Sequence, residues 1–260
     1  MPPCYAAGMD RPQQRKTPGT SINLDQIAAV LFDLDGTLIE VDMERFIPIY
    51  LRRLAERLRP HAEPQRTLQT MRGAVMAMLG DTLGDCSLEQ LLRDRLAAEL
   101  QIPWSGYQEA LAAFCREELA ELRPLVRPHP LARALVESCL ARGWQVVLAT
   151  NPIFPREVIE ARLAWGELAD LPFRSITSYE TSRHCKPHPG FFLDVLATLG
   201  LPPRACLMVG NDTSHDLAAG QVGIPTCLLT TWRIDRGAHF VADWEGSHPA
   251  LLEQLHPPHD

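Results

Sequence analysis

Apolar runs of strand length alternate with segments of helical periodicity through most of this 260-residue chain. The runs with strand length lie at 28–32, 144–149, 173–177, 206–209 and about 226–229. Helical segments lie between the later runs, and two of them end at Gly143 and Gly200, which suit the left-handed residue that closes a helix. Strands that alternate with helices predict an α/β fold with a parallel sheet covered on both faces.

A long helical block interrupts this alternation directly after the first run. From about residue 43 to 123, apolar residues recur at spacings of three and four, as in Leu88, Leu92 and Leu96. The simplest organisation is an α/β core with an inserted all-helical domain. The predicted division is 1–24 for a flexible N-terminal extension rich in Pro, Gln, Gly and Thr, 25–40 and 127–260 for the core, and 41–126 for the insertion.

Composition excludes several functional classes. The net charge of −7 gives no basic footprint for nucleic acid, and no stretch approaches the roughly 18 apolar residues of a membrane-spanning helix. The seven cysteines are odd in number and form no CxxC pair, and the N-terminus lacks the apolar region of a signal peptide. We therefore expect a cytoplasmic protein that binds neither nucleic acid nor membrane.

Polar residues cluster near the predicted strand ends. Open α/β sheets bind ligands in the crevice beyond the carboxyl ends of their strands, so these residues can meet there. The segments concerned are 33–37, 150–151, 185–187 and 210–216.

The first of these segments suits phosphoryl transfer. A carboxylate such as Asp33 can attack phosphorus and form an acyl-phosphate, which divides one hard displacement into two easier ones. Asp35, two residues on, can point into the same crevice and move protons. Gly36 permits a tight turn and close approach of the backbone to a ligand, and we expect it to bind substrate together with Thr37.

The other segments supply the remaining chemistry. Thr150 and Asn151 can donate hydrogen bonds to phosphoryl oxygens. Lys186 is one of only two lysines beside 23 arginines, and its compact charge can face both phosphate and carboxylates. Asp212 and Asp216, together with the first aspartate, form a hard-oxygen set that suits Mg²⁺.

Four stretches in this order resemble the motifs of the haloacid dehalogenase-like superfamily: FDLDGTL, LATN, CKPHP and MVGNDTSHD. The resemblance covers about residues 28 to 230, and 117 residues separate Asp33 from Thr150. It implies a Rossmann-like parallel-sheet core with a helical cap inserted after the first motif. It also implies four catalytic roles: Asp33 as nucleophile, Asp35 as general acid/base, Thr150 in phosphate binding and Lys186 in charge neutralisation.

The resemblance further implies a Mg²⁺ site. Its ligands would be the side chains of Asp33 and Asp212, the backbone carbonyl of Asp35, and Asp216 directly or through water. The fourth motif commonly reads Gly-Asp, whereas Asn211 follows the glycine here. The Asp-x-x-x-Asp spacing favours Asp212 as the first acid of this motif, and alignment on the glycine would instead place Asn211 there.

The resulting hypothesis is a Mg²⁺-dependent phosphatase that hydrolyses a small phosphorylated metabolite through an aspartyl-phosphate. A dehalogenase would need neither the second acid at Asp35 nor a magnesium cluster. A phosphomutase would keep the full acid set, although that subgroup often has another residue at position 37. A noncatalytic binding protein on this scaffold is disfavoured by the intact set of Asp33, Asp35, Thr150 and Lys186.

Overall fold

A six-stranded parallel sheet forms the centre of the computed structural model, which describes residues 23–80, 83–237 and 240–255. Numbered in chain order, the strands are β1 (Ala29–Phe32), β2 (Ile39–Val41), β3 (Val126–Pro128), β4 (Gln145–Leu148), β5 (Ser175–Ile176), β6 (Cys206–Gly210), β7 (Thr226–Leu229) and β8 (Trp244–Gly246). The order across the sheet is β5-β4-β1-β6-β7-β8, and β2 pairs separately with β3 as an antiparallel hairpin. The predicted α/β parallel-sheet fold is confirmed.

Strand β1 is central and has parallel neighbours on both sides. Phe32 lies opposite Leu148 of β4 and Val209 of β6, so these three strands end at one level. Every residue of β1, β6 and β7 is buried, as expected for strands covered on both faces. The loops that follow β1, β4 and β6 therefore begin side by side.

Helices cover the sheet and fill the insertion. They are α1 (Met43–Arg57), α2 (Pro64–Gly80), α3 (Leu88–Leu100), α4 (Trp104–Glu117), α5 (Ala132–Ala141), α6 (Arg156–Trp165), α7 (Pro189–Leu199) and α8 (His248–Leu255). The first four follow one another between β2 and β3, so the hairpin carries an all-helical insertion. No described helix has both the length and the apolar composition required to cross a membrane.

Local sequence explains how the inserted helices begin and pack. The side chain of Asp42 accepts a hydrogen bond from the backbone N–H of Arg45 and caps α1, and Ser87 caps α3 in the same way. Aromatic rings then join the insertion to the core. Phe46 of α1 packs edge-on against Phe154, which follows β4, with 5.6 Å between ring centroids.

One predicted segment differs from the observed structure. The helix expected between the runs at 206–209 and 226–229 is a 3-10 segment, Leu217–Val222. The chain after residue 230 also contributes β8 and α8, for which no element was predicted. A three-residue strand is too short for a periodic pattern, so the sixth strand had no sequence signal. The predicted extension at 1–24 lies almost wholly outside the described residues. None of the six cysteines within the described ranges forms a disulfide.

Candidate active site

Asp33 directly follows β1 at the carboxyl edge of the sheet. Its backbone N–H donates to the carbonyl of Val209 at 2.9 Å, so the strand pairing continues to this residue. Gly36 then adopts a positive φ of 81°, and a Cβ at this position would lie 2.2 Å from Nδ2 of Asn211. Only glycine satisfies both the backbone conformation and the close approach of the fourth-motif loop.

Lys186 joins two carboxylates in the interior. Its Nζ donates to Oδ1 of Asp33 at 2.7 Å and to Oδ1 of Asp216 at 2.6 Å, and the side chain is only 2% exposed. The backbone N–H of Lys186 donates to Oδ1 of Asn151 at 2.8 Å. Asn151 therefore anchors the lysine loop, and its expected contact with substrate stays a prediction.

Burial and the neighbouring charges shift the pKa values of Asp33 and Lys186. The pKa of the Asp33 carboxyl is raised to about 7, mainly because the group is buried. The charge of Lys186 lowers this pKa, whereas the charges of Asp216 and Asp35 raise it. Burial also disfavours the charged form of Lys186, but Asp216 and Asp33 outweigh that effect and raise the lysine pKa. One fixed ammonium thus faces more negative charge than it can neutralise.

Two buried threonines lie on the loops after β1 and β4. Oγ1 of Thr37 lies 3.4 Å from Oδ2 of Asp33 and 3.4 Å from Oδ1 of Asn211. Thr150 follows β4, the neighbour of β1, and the N–H of the preceding residue, Ala149, donates to the carbonyl of Phe32. Thr37 thus contacts Asp33 directly, and Thr150 begins the loop after the neighbouring strand.

Asp35 has a separate cationic partner. Nη1 of Arg162, on α6, donates to both carboxylate oxygens of Asp35, at 2.8 and 2.9 Å. Arg162 has no signal in the sequence, because it is one of 23 arginines and lies 127 positions from Asp35. Its place on the buried face of α6 becomes visible only in the tertiary structure.

The two acids of the fourth motif have different surroundings. Oδ2 of Asp216 accepts the backbone N–H groups of Asn211 at 3.0 Å and Asp212 at 2.9 Å, while its Oδ1 contacts the lysine. Asp212 instead accepts two backbone N–H groups of its own turn and pairs with Nε of Arg236 at 2.6 Å. The oxygens of Asp212 are therefore occupied by its own turn and by Arg236.

Asn211 is linked to Asp33 through the hydroxyl of Thr37. Its Nδ2 donates to the backbone carbonyl of Trp232 at 2.6 Å, which orients Oδ1 toward Thr37 and hence toward Asp33. Within the described ranges, no group of three or more His, Cys, Asp or Glu side chains is arranged to hold a metal ion. An oxygen set at this edge would have to include amide or carbonyl oxygens.

A histidine pair behind the first motif also had no sequence signal. The Nε2–H of His248 donates to the backbone carbonyl of Thr37 at 2.8 Å, and its ring stacks on His129 with 3.8 Å between centroids. Burial and the neighbouring His248 lower the pKa of His129 to about 4. These neutral rings support the loop that carries the acids.

The family comparison agrees with this geometry. A model of the haloacid dehalogenase-like hydrolases matches residues 27–223, which include the loops that follow β1, β4 and β6. The chain belongs to this family. The family expected from the four motifs is thereby confirmed, and so is the assignment as a hydrolase.

Proteins similar to this chain have phosphatase names. The chain is 26% identical to the pyrophosphatase PpaX of Bacillus cereus, over 84% of this chain and 89% of the relative. It is 29% identical to hexitol phosphatase B of Escherichia coli, over 75% and 79%. A solved structure, a predicted phosphoglycolate phosphatase from Haemophilus somnus, covers 88% of this chain and 97% of its own, with 20% identity and a TM-score of 0.53. That last likeness shows the shared fold.

Proposed function

We propose that this hydrolase is a phosphatase that cleaves a small phosphomonoester through an aspartyl-phosphate on Asp33. The observation that carries the proposal is the buried Lys186, which holds Oδ1 of Asp33; among the described residues, Oδ2 has only a long contact to Thr37. A carboxylate anchored by one oxygen presents the other for attack. The phosphatase names of PpaX and hexitol phosphatase B support the same reaction class.

The first half-reaction forms the acyl-phosphate. Oδ2 of Asp33 attacks phosphorus while the bond from phosphorus to the ester oxygen breaks. Asp35 donates a proton to the departing oxygen, so the product leaves as a neutral alcohol. Lys186 and the hydroxyls of Thr37 and Thr150 would hold the charge and position of the phosphoryl oxygens.

The second half-reaction removes the phosphoryl group. Asp35, now ionised, takes a proton from a water molecule that attacks phosphorus. The bond between phosphorus and Oδ2 of Asp33 then breaks, which releases inorganic phosphate and restores the free carboxylate. One residue thus acts as acid and then as base.

We further propose that the site binds Mg²⁺, whose role would be to neutralise the phosphate and the surrounding carboxylates. The donor set fits a hard cation: Oδ1 of Asp33, the backbone carbonyl of Asp35 and Oδ1 of Asn211 are all oxygens, and Oδ2 of Asp33 stays available for attack. Asp216 would support the site through Lys186 and the backbone of the fourth motif. Because Asp212 is paired with Arg236, its surroundings favour Asn211 as the ligand from this motif.

The inserted helices would act as a cap over this edge of the sheet. We place the cap at 41–126 and the core at 25–40 and 127–260, as the sequence predicts. Phe46 of α1 already packs against Phe154 of the core beside the acid loop. Closure over a bound phosphate would exclude bulk water during the attack. The dispersed cysteines also support a cytoplasmic location.

The test is phosphate release from 4-nitrophenyl phosphate and from a panel of sugar phosphates, phosphoglycolate and nucleoside monophosphates. We expect turnover with Mg²⁺, none with a chelator, and inhibition by Ca²⁺, which can draw Asp33 into bidentate coordination. Full activity in metal-free buffer would remove the metal proposal. Release of halide from a 2-haloacid without phosphate release would instead identify a dehalogenase.

A further inference from the structure

We propose that Arg162 is the positioning residue for Asp35, the group that moves protons in the proposed reaction. This inference rests on the proposed phosphatase function, which it deepens by identifying what holds the acid/base in place. Arg162 does not touch the reacting atoms in this proposal. It acts by orienting a carboxylate that does.

The contact geometry is specific. A single nitrogen, Nη1, lies 2.8 Å from Oδ1 and 2.9 Å from Oδ2 of Asp35, so it faces both carboxylate oxygens. Asp35 keeps 22% of its side chain exposed, whereas the side chain of Arg162 has no exposed surface. The arginine therefore holds the carboxylate from the protein side and leaves its outer side accessible to substrate.

Aromatic rings restrict the guanidinium further. Its carbon lies 4.7 Å from the centroid of Phe154 and 5.7 Å from that of Phe46. Packing against two rings leaves the planar group little freedom to rotate, and cation–π attraction favours its charged form in place. A rigid donor of this kind defines the position of Asp35 better than a flexible surface chain could.

The energetics argue against a purely stabilising role. Nε and Nη2 of Arg162 are buried without a hydrogen-bond partner among the described residues. Burying a charge with unsatisfied N–H groups generally destabilises a fold relative to apolar packing of the same volume. A cation that is costly to bury and bonded to one acid fits a role in positioning that acid.

The experiment compares kcat/KM for two esters that differ only in the leaving group, 4-nitrophenyl phosphate and phenyl phosphate, both with Mg²⁺. Departure of phenol depends far more on proton donation than departure of nitrophenol, and kcat/KM excludes the later hydrolysis of the acyl-phosphate. For Arg162→Gln we expect kcat/KM on phenyl phosphate to fall by about 100-fold. The fall in kcat/KM on the nitrophenyl ester should be smaller by a factor of at least about ten. Arg162→Lys should recover part of this difference.

The control is Arg156→Gln on the same helix, where an exposed arginine pairs with Glu160. It should leave both rates near those of the unmodified protein. In an Asp35→Asn background, adding Arg162→Gln should change kcat/KM on the nitrophenyl ester by less than about twofold, because Arg162 then has no acid to position. Additional loss in that background would overturn the inference.

Equal losses on both esters for Arg162→Gln would also overturn it, since they would indicate general damage to the site. If that variant does not fold, kcat/KM on the two esters is compared for Arg162→Lys and Phe154→Leu instead. Equal losses on both esters in both variants would overturn the inference. An unmodified protein inactive on every ester would overturn the phosphatase proposal and this inference together. If the unmodified protein is active but Arg162→Gln lowers kcat/KM equally on both esters, this inference alone is overturned.

Discussion

Charged side chains are used differently in the inserted helices and at the edge of the sheet. In the insertion, Arg53 donates to Glu118 at 3.1 Å and to Glu121 at 2.6 Å while keeping 32% of its side chain exposed. At the sheet edge, Lys186 and Arg162 are almost wholly buried; Lys186 is bonded to Asp33 and Asp216, and Arg162 to Asp35.

The difference lies in how strongly solvent screens the two sets of charges. Exposed pairs gain little, because water and salt screen them and two long side chains must be ordered. Buried pairs lose the solvation of both ions, so removing one member leaves an uncompensated charge. Mutations should therefore have large effects at the sheet edge and small effects in the insertion, and five predictions test this contrast.

The largest effect should follow Asp33→Asn. The amide has nearly the same shape but is a poor nucleophile, so we expect kcat to fall by several orders of magnitude with the fold preserved. Phosphate release and thermal unfolding measure the two expectations. Asp25→Asn, at an exposed position, is the matched control. Substantial activity in a purified Asp33→Asn sample would exclude Asp33 as the nucleophile.

Lys186→Met should damage both stability and activity. Without the ammonium, the carboxylates of Asp33 and Asp216 repel each other in the interior, and the loss of a buried partner generally costs about 3–5 kcal/mol. Urea unfolding in metal-free buffer measures the effect. Arg59→Met removes a surface charge paired with Glu56 and should change stability little. Similar losses in the two variants would contradict the contrast between the regions.

The fourth motif provides the next test, on metal affinity. We expect Asn211→Ala to weaken Mg²⁺ binding more than tenfold, Asn211→Asp to strengthen it, and Asp212→Asn to change it little. The readout is the rise of the unfolding temperature with Mg²⁺ concentration, which needs no activity. A greater loss for Asp212→Asn than for Asn211→Ala would support the alignment that the acid spacing favours.

A smaller, pH-dependent effect is expected for His129. Its pKa in the folded protein, about 4, lies below the ordinary 6.5, so the unfolded chain binds more protons between these values. The stability it contributes is complete above pH 6.5 and is lost as the pH falls toward 4. His129→Gln cannot titrate and should reduce this decline by about 1–2 kcal/mol. Urea midpoints across this range, without metal, measure it; an unchanged decline would refute the assignment.

The smallest effect should be that of Arg53→Gln in the insertion. Its ion pairs are partly exposed, so we expect a loss of about 0.2–1 kcal/mol at low salt that disappears at high salt. Unfolding free energies at the two salt concentrations are the measurement. A loss comparable to that of Lys186→Met, or one insensitive to salt, would show that the insertion depends on its charges as the sheet edge does.

The local pattern of apolar residues predicted much of the secondary structure. The apolar run at 28–32 ends directly before Asp33, and the later runs alternate with helices as in a parallel sheet. Leu88, Leu92 and Leu96 lie on one buried face of α3, as their spacing predicts. These features depend on the periodicity of apolar residues within a few helical turns or one strand. They can therefore be predicted from the sequence without knowledge of the fold. Strand β8 and the 3-10 segment after Asp216 could not be predicted in this way, because neither has a periodic pattern of its own.

The sequence by itself determined the fold class, the insertion and the identity of Asp33, Asp35 and Lys186 as the acids and the cation near the strand ends. Only the tertiary structure decided which partners these groups have. Arg162 reaches Asp35 from 127 positions away. Likewise, the turn that directs Asp212 toward Arg236 brings Asn211 over Gly36. The physical reason is that charge pairing depends on distance in space and on burial, and neither is encoded in the spacing of residues along the chain.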